Sequence, residues 1–136
     1  MSDVAERFNR GTGVHAALDI EFVEVSAQRV VVQVLVQEKV HQPYGILHGG
    51  VSALMSESAA SVGGAMAAGP TKIVMGTELN VSHLRSMSSG LLTATAKPLR
   101  VGRTMQVWAI DLTDDEGRLI CVGRCTLAVR DAPSPS

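Results

Sequence analysis

The sequence has little cysteine, no basic stretch, no apolar leader and no long run free of polar residues. Each shortage closes off a class of protein. Cys121 and Cys125 are the two cysteines. On one strand, four residues apart, their Cα atoms stand about 13 Å from each other, too far to bond. The pair therefore does not suggest a disulfide-stapled secreted scaffold, and two small buried apolar side chains are expected. Twelve Lys and Arg against 13 Asp and Glu leave a formal net charge of -1 with no basic stripe, so nucleic acid is not an expected partner. The opening MSDVAERFNR lacks the apolar core of a signal peptide. The least polar long stretch, residues 53–69, carries Ser56, Glu57, Ser58 and Ser61 and makes a poor membrane span. These features predict a cytoplasmic protein with no membrane partner. His15, His41, His48 and His83 are scattered, without metal-ligand spacing. Neither common Gly-rich phosphate loop nor a Gly-x-Ser-x-Gly elbow occurs. That argues against dinucleotide enzymes, P-loop enzymes and serine hydrolases.

What is present suits one globular domain. The chain has 136 residues, of which 46% are hydrophobic and 18% charged. Mean hydropathy is +0.20, high for this size, and apolar surface buried between subunits would account for it. Residues 1–12 read as a polar lead-in with at most one helical turn, 13–130 as the folded domain and 131–136 as a disordered tail. Residues 18–24 alternate like a half-buried strand, and 29–36 (RVVVQVLV) are rich in β-branched residues. Pro43 and Gly45 punctuate a loop. Residues 51–68, dominated by Ala, Ser, Met, Leu and Glu, predict a helix about 25 Å long that ends at Gly69-Pro70. Gly63-Gly64-Ala65 is weak for helix propensity but lets another element come close, which predicts a sheet tightly wrapped on the helix. Residues 73–84, 90–99, 104–113 and 118–129 alternate like strands, with Asp114-Asp115-Glu116-Gly117 as a hairpin turn. The order implies an α+β fold with an antiparallel sheet packed on a single helix.

The chemistry sits at the helix start. The first backbone N–H groups of a helix have no intrahelical partner, and the macrodipole adds positive potential there. Glycines at positions 49 and 50 let a ligand approach that backbone closely. A carbonyl oxygen placed there is polarised, and an oxyanion is stabilised. Glu57, about two turns on, is embedded in Ala, Met, Leu and Ser. It is either a solvated surface side chain or one held for a purpose. Facing a cleft, it would be raised in pKa by partial burial and could act as base or nucleophile. Ser61 is four residues further and shares its face.

His48-Gly49-Gly50 opening a small-residue helix, with Glu57 in it, resembles the hotdog-fold acyl-CoA thioesterases. Within them it is most similar to the branch of 4-hydroxybenzoyl-CoA, 1,4-dihydroxy-2-naphthoyl-CoA and phenylacetate-pathway thioesterases. Further similarity runs through residues 78–86, 97–103, 106–108 and 115–119 and Cys121, and spans roughly 13–130 in all. The resemblance implies a curved antiparallel sheet around one central helix. It implies a homodimer with active sites at the interface, commonly a dimer of dimers. It implies Glu57 as nucleophile or general base, and the Gly49 N–H as the group that polarises the thioester carbonyl. Gln42 and His48 would line that end, and Ser61, arriving from the partner subunit, would hold the water. His83, Arg85, Ser86, Arg100, Gly102, Arg103 and Thr104 would contact CoA. The substrate would be an acyl-CoA or aroyl-CoA, with no metal and no cofactor. Met55, Val62, Met66 and Ile73 would be either acyl-pocket walls or core. Two alternatives remain on the same fold: an acyl-CoA hydratase or dehydratase using His48 with a carboxylate, and a non-catalytic acyl-CoA-binding protein. The nine-residue spacing of His48 and Glu57, with Gly-Gly directly after the histidine, fits thioester polarisation better.

Overall fold

Alternation of β-branched and polar residues places six strands in one antiparallel sheet, and the small residues of the central segment let that sheet close on a helix. The computed structural model describes residues 3–134. In chain order the elements are α1 (Asp3–Phe8), α2 (Gly13–Leu18), β1 (Glu21–Val25), β2 (Val30–Val36), a single 3-10 turn (Glu38–Val40), α3 (Gly49–Ala68), β3 (Lys72–His83), β4 (Gly90–Val101), β5 (Met105–Thr113) and β6 (Leu119–Asp131). The sheet order is β1-β2-β4-β5-β6-β3, antiparallel throughout. Helix α3 touches all six strands, so the sheet wraps it. The α+β architecture read from the sequence is the one observed.

Helix α3 buries a stripe of Val51, Ser52, Met55, Ser56, Ala59, Ala60, Gly63 and Gly64. Pairs recurring every four residues keep one face against the sheet. The two glycines are there for contact. A Cβ at Gly63 would stand 2.5 Å from the Trp108 ring, and one at Gly64 would stand 2.3 Å from Leu127 Cδ1. Trp108 is fully buried, and its indole Nε1–H donates to Gln106 Oε1 at 2.8 Å. Gln106 Nε2 in turn donates to the Gly64 carbonyl at 3.1 Å. The buried amide is thus satisfied at the point where helix and sheet meet most closely. Cys121 and Cys125 are buried and unbonded on β6.

Two local expectations shift. Residues 18–20, read as the start of a strand, instead close α2, and β1 begins at Glu21. Asp19 takes the left-handed conformation, φ 57 and ψ 39, which a short polar side chain tolerates. The Ile20 N–H then caps the helix on the His15 carbonyl at 2.8 Å. At the other end β6 takes in Asp131, the first residue of the expected tail, which pairs in register with Lys72 on β3. Met1 and Ser2 of the expected lead-in, and Pro135 and Ser136 of the expected tail, lie outside the described residues.

Candidate active site

The loop that precedes α3 is pinned from three sides. The His48 N–H donates to Val40 O at 2.9 Å, the Leu47 N–H to Met87 O at 2.7 Å, and the His41 ring bonds Ser88 O at 2.9 Å. A tight turn built on Gln42 shapes its tip. The Gly45 N–H donates to Gln42 O at 3.0 Å with Gly45 at φ 78, and Gln42 Oε1 accepts from the Tyr44 N–H. His48 caps the helix. Its Nδ1 accepts from the Gly50 N–H at 2.8 Å, which requires a ring whose Nδ1 carries no proton. With Gly50 held by the cap, Gly49 presents the first N–H of the helix.

That N–H opens on a cleft of about 340 Å³ lined by Gln42, Ile46, Leu47, Gly49, Ser52, His83, Leu84, Arg85, Ser86, Met87 and Ile120. His83, at the end of β3, lays its ring on the helix start. A Cβ at Gly49 would stand 2.7 Å from His83 Nε2. Only glycine permits that approach without displacing the ring. His83, expected at CoA, stands beside the N–H expected to polarise the thioester. Arg85 and Ser86 continue the same wall.

Glu57 lies elsewhere. Eight residues separate it from Gly49, about 12 Å along the helix axis. It is exposed in the single protomer, yet it is not adrift. Its carboxyl carbon and Oε1 lie over Gly76 of β3, where a Cβ would stand 3.4 Å from both. The β3 register shifts between Gly76 and Glu78, a bulge of the kind that bends a strand beside a site. Glu57 borders two clefts. One, about 460 Å³, is shared with Val14, Gly50, Ala53, Leu54, Ser58 and Leu79. The other, about 240 Å³, is shared with Phe8, His15, Phe22, Ser58, Ser61 and Val62. Ser61 and Glu57 therefore share a cleft, as their spacing implies. Burial, and behind it the negative charge of Glu57, push the Cys125 thiol up to about 11, so that thiol stays protonated and non-nucleophilic near neutral pH.

Of the residues considered as acyl-pocket walls, Val62 faces the Glu57 cleft, Met55 is wholly core, and Met66 and Ile73 are exposed. Arg100 lies near the end of β4, Gly102, Arg103 and Thr104 form the β4–β5 turn, and none of them borders the Gly49 cleft or the Glu57 clefts. Register places that turn by Met105, which pairs with Ala128 and through it with Met75. Met75 to His83 spans about 25 Å of strand. The expected site residues thus divide along β3. Gln42, Gly49, His83, Arg85 and Ser86 gather at its His83 end, with His48 capping the helix there. Glu57 lies over Gly76, toward the middle of the strand, and shares a cleft with Ser61, while the β4–β5 turn is level with Met75.

Sequence reasoning missed the first two helices as site elements. His15 of α2 bonds Ser58 Oγ through Nε2 at 2.7 Å, and its ring stands edge-on to Phe22. Phe8 of α1 tilts against the same Phe22 ring. Burial lowers the His15 pKa. No periodicity marks these residues; the isolated histidine and phenylalanines become a wall only through the fold. Among the described residues no group of three or more His, Cys, Asp or Glu side chains is placed to hold a metal ion, and no helix is long and apolar enough to cross a membrane.

The family model described as thioesterase superfamily matches residues 44–121, from the turn before the helix to Cys121. The chain is 48% identical over 118 residues to a 1,4-dihydroxy-2-naphthoyl-CoA hydrolase of Listeria monocytogenes, covering 87% of this chain and 96% of that one. It is 38% identical over 114 residues to a proofreading thioesterase of Klebsiella pneumoniae, covering 84% and 83%. Among solved structures, a thioesterase from Haemophilus influenzae superposes with a TM-score of 0.90 at 34% identity, over 96% of this chain and 93% of the other.

Proposed function

The chain belongs to the thioesterase superfamily and is a thioester hydrolase, and we propose that it cleaves aroyl-CoA esters to the carboxylate and free CoA at sites shared by two copies of itself. The observation that carries this reading is the separation just described. Gly49 and Glu57 stand on one helix, eight residues and about 12 Å of axial rise apart, so one carbonyl held at the Gly49 N–H is not within reach of the Glu57 carboxylate of the same protomer. A second copy removes the difficulty. β3 is an edge strand of 12 residues, and among the described residues nothing pairs with its outer side. A long open edge is a template for strand pairing. Two β3 strands pairing antiparallel about a two-fold axis near residues 79–80 set Gly76 of one protomer level with His83 of the other. Glu57, which lies over Gly76, then faces the partner's helix start. The same operation carries the 100–104 turn toward the partner's Arg85. The arginines of both protomers can then meet the phosphates of CoA at one mouth.

The chemistry follows from that placement. The thioester carbonyl sits at the start of one helix, polarised by the Gly49 N–H, while Gln42 orients the thioester or the water. His48 keeps the glycine N–H groups in place through its cap. Glu57 of the other protomer attacks the carbonyl carbon, or takes a proton from water held with Ser61. The electron pair of the C=O moves to oxygen and is held at the helix N-terminus. Collapse restores the carbonyl and breaks the C–S bond; CoA leaves as the thiolate and takes a proton of the attacking water, passed on by Glu57 in the base route, whereas in the nucleophile route water then hydrolyses the mixed anhydride on Glu57, frees the carboxylate product and supplies that proton. The aryl group lies against Val62, Phe8 and Phe22. The unpaired cysteines suit a reducing cytoplasm. The relatives support the acyl class, since one is named for a naphthoyl-CoA.

The test is a panel of benzoyl-, 1,4-dihydroxy-2-naphthoyl- and straight-chain acyl-CoA esters, with released thiol measured and kcat/KM ranked. Aroyl esters are expected first. Glu57→Ala is expected to fold normally and lose about a thousandfold or more in kcat, the scale of a lost base or nucleophile. Near-normal turnover by that variant removes Glu57 from the mechanism. A panel led by straight-chain esters removes the aroyl assignment.

A further inference from the structure

Ser52 carries a polar group that no other described residue uses. The residue is 1% exposed, and its Oγ is, among the described residues, the buried side-chain oxygen without a hydrogen-bond partner. Burying a hydroxyl unpaired is unfavourable, and native structures avoid it unless the group has a task. Ser56, one turn on, shows what a buried helical serine ordinarily does. Its Oγ donates back to the Ser52 carbonyl at 2.8 Å. The equivalent acceptor for Ser52 is the carbonyl of His48. That oxygen belongs to the cap and receives the Val51 N–H at 3.0 Å, and Ser52 Oγ does not bond it.

The location says what the hydroxyl faces. Ser52 is in the wall of the cleft that Gly49, Gln42 and His83 also line. It follows Gly49 by three residues, so the two share a helix face. Helical side chains lean toward the N-terminus, which carries the hydroxyl toward the opening where the Gly49 N–H emerges.

We infer that Ser52 is a further catalytic residue whose hydroxyl donates to the thioester carbonyl oxygen alongside the Gly49 N–H. This rests on the thioesterase reading above and adds a residue to it. A carbonyl oxygen has two lone pairs, so two donors complete it. When the new C–O bond forms and the π pair moves to oxygen, both donors strengthen. A hydroxyl can rotate as the carbon becomes tetrahedral, whereas the backbone N–H is fixed. Ser52 keeps its proton throughout, and its bond weakens again when the C–S bond breaks.

The experiment compares wild type, Ser52→Ala and Ser52→Cys on benzoyl-CoA, with kcat, KM and Tm measured for each. Loss of the donor in Ser52→Ala is expected to lower kcat roughly tenfold to a hundredfold. KM stays within about twofold, because the contact strengthens mainly in the transition state. Its Tm is expected at or above that of wild type, since an unpaired buried hydroxyl has been removed. Ser52→Cys keeps the shape with a weak donor, and it carries the test if the alanine variant does not fold. A second readout is the carbonyl stretch of benzoyl-CoA bound to Glu57→Ala, followed by Raman spectroscopy. It is expected to rise in frequency when Ser52→Ala is added. An active wild type whose Ser52 variants keep full kcat, with or without a lower Tm, overturns this assignment alone. A wild type inert toward every thioester overturns the functional reading and this one with it.

Discussion

At the scale of single residues, the helix start was legible and its surroundings were not. His48-Gly49-Gly50 is a local signal, because cap, free N–H and close approach all depend on neighbours in sequence. The His83 ring against Gly49 was invisible, since 34 residues separate them and only the β3 register brings them together. His15 was equally opaque. As a lone histidine it has no pattern, yet it bonds Ser58 in the Glu57 cleft at 2.7 Å. Burial lowers its folded pKa below the ordinary 6.5. The unfolded chain therefore binds that proton more readily. The stabilisation is full above the unfolded value and is lost as pH falls through it toward the folded one. Urea unfolding of wild type is thus expected to show stability declining as pH is lowered through the ordinary histidine value of 6.5. His15→Gln, which retains a partner for Ser58, is expected to flatten that decline. Equal slopes in the two proteins contradict the assignment.

At the scale of elements, strands read well where alternation is strict, and boundaries slip where a local bond wins. β2 was marked by its β-branched run, whereas α2 went unseen because its six residues carry no apolar stripe and its closure depends on one left-handed Asp19. Helix α3 was anticipated, including the use of small residues at 63–65, but not the identity of what they meet. That identity yields a prediction in which two effects compete. Alanine at position 63 gains roughly 1 kcal/mol of helix propensity over glycine. Its Cβ would stand 2.5 Å from the rigid, fully buried Trp108 ring, and overpacking of that kind costs typically 1–3 kcal/mol. The clash is expected to match or exceed the gain, so Gly63→Ala is expected to be no more stable than wild type and up to about 2 kcal/mol less stable in urea unfolding. A clearly stabilised variant would mean that Trp108 moves freely.

At the scale of the whole molecule, the claim is that one protomer holds two halves of two different sites. The sequence placed Gly49 and Glu57 on one helix, and their separation was already implicit in eight residues at 1.5 Å each. It took the sheet register to show that the remaining candidates divide with them, because no local pattern relates a β4–β5 turn to the end of β3. Mixing two inactive variants tests this directly. Glu57→Ala removes the carboxylate. Gly49→Pro removes the N–H at the first helical position, and its ring displaces His83, which stands 2.7 Å from a Cβ there, so the variant disables the whole helix-start half of the site while His48, at ψ 127, already has the conformation a following proline prefers. Each homodimer is inactive in both sites. A mixed dimer has one site built from the intact Gly49 of the first chain and the intact Glu57 of the second. Co-expression of the two, assayed with benzoyl-CoA, is predicted to restore activity to about one quarter of wild type, the share of intact sites on random pairing of two-fold dimers. A mixture that forms mixed dimers and yet stays as inactive as its parents would contradict the account.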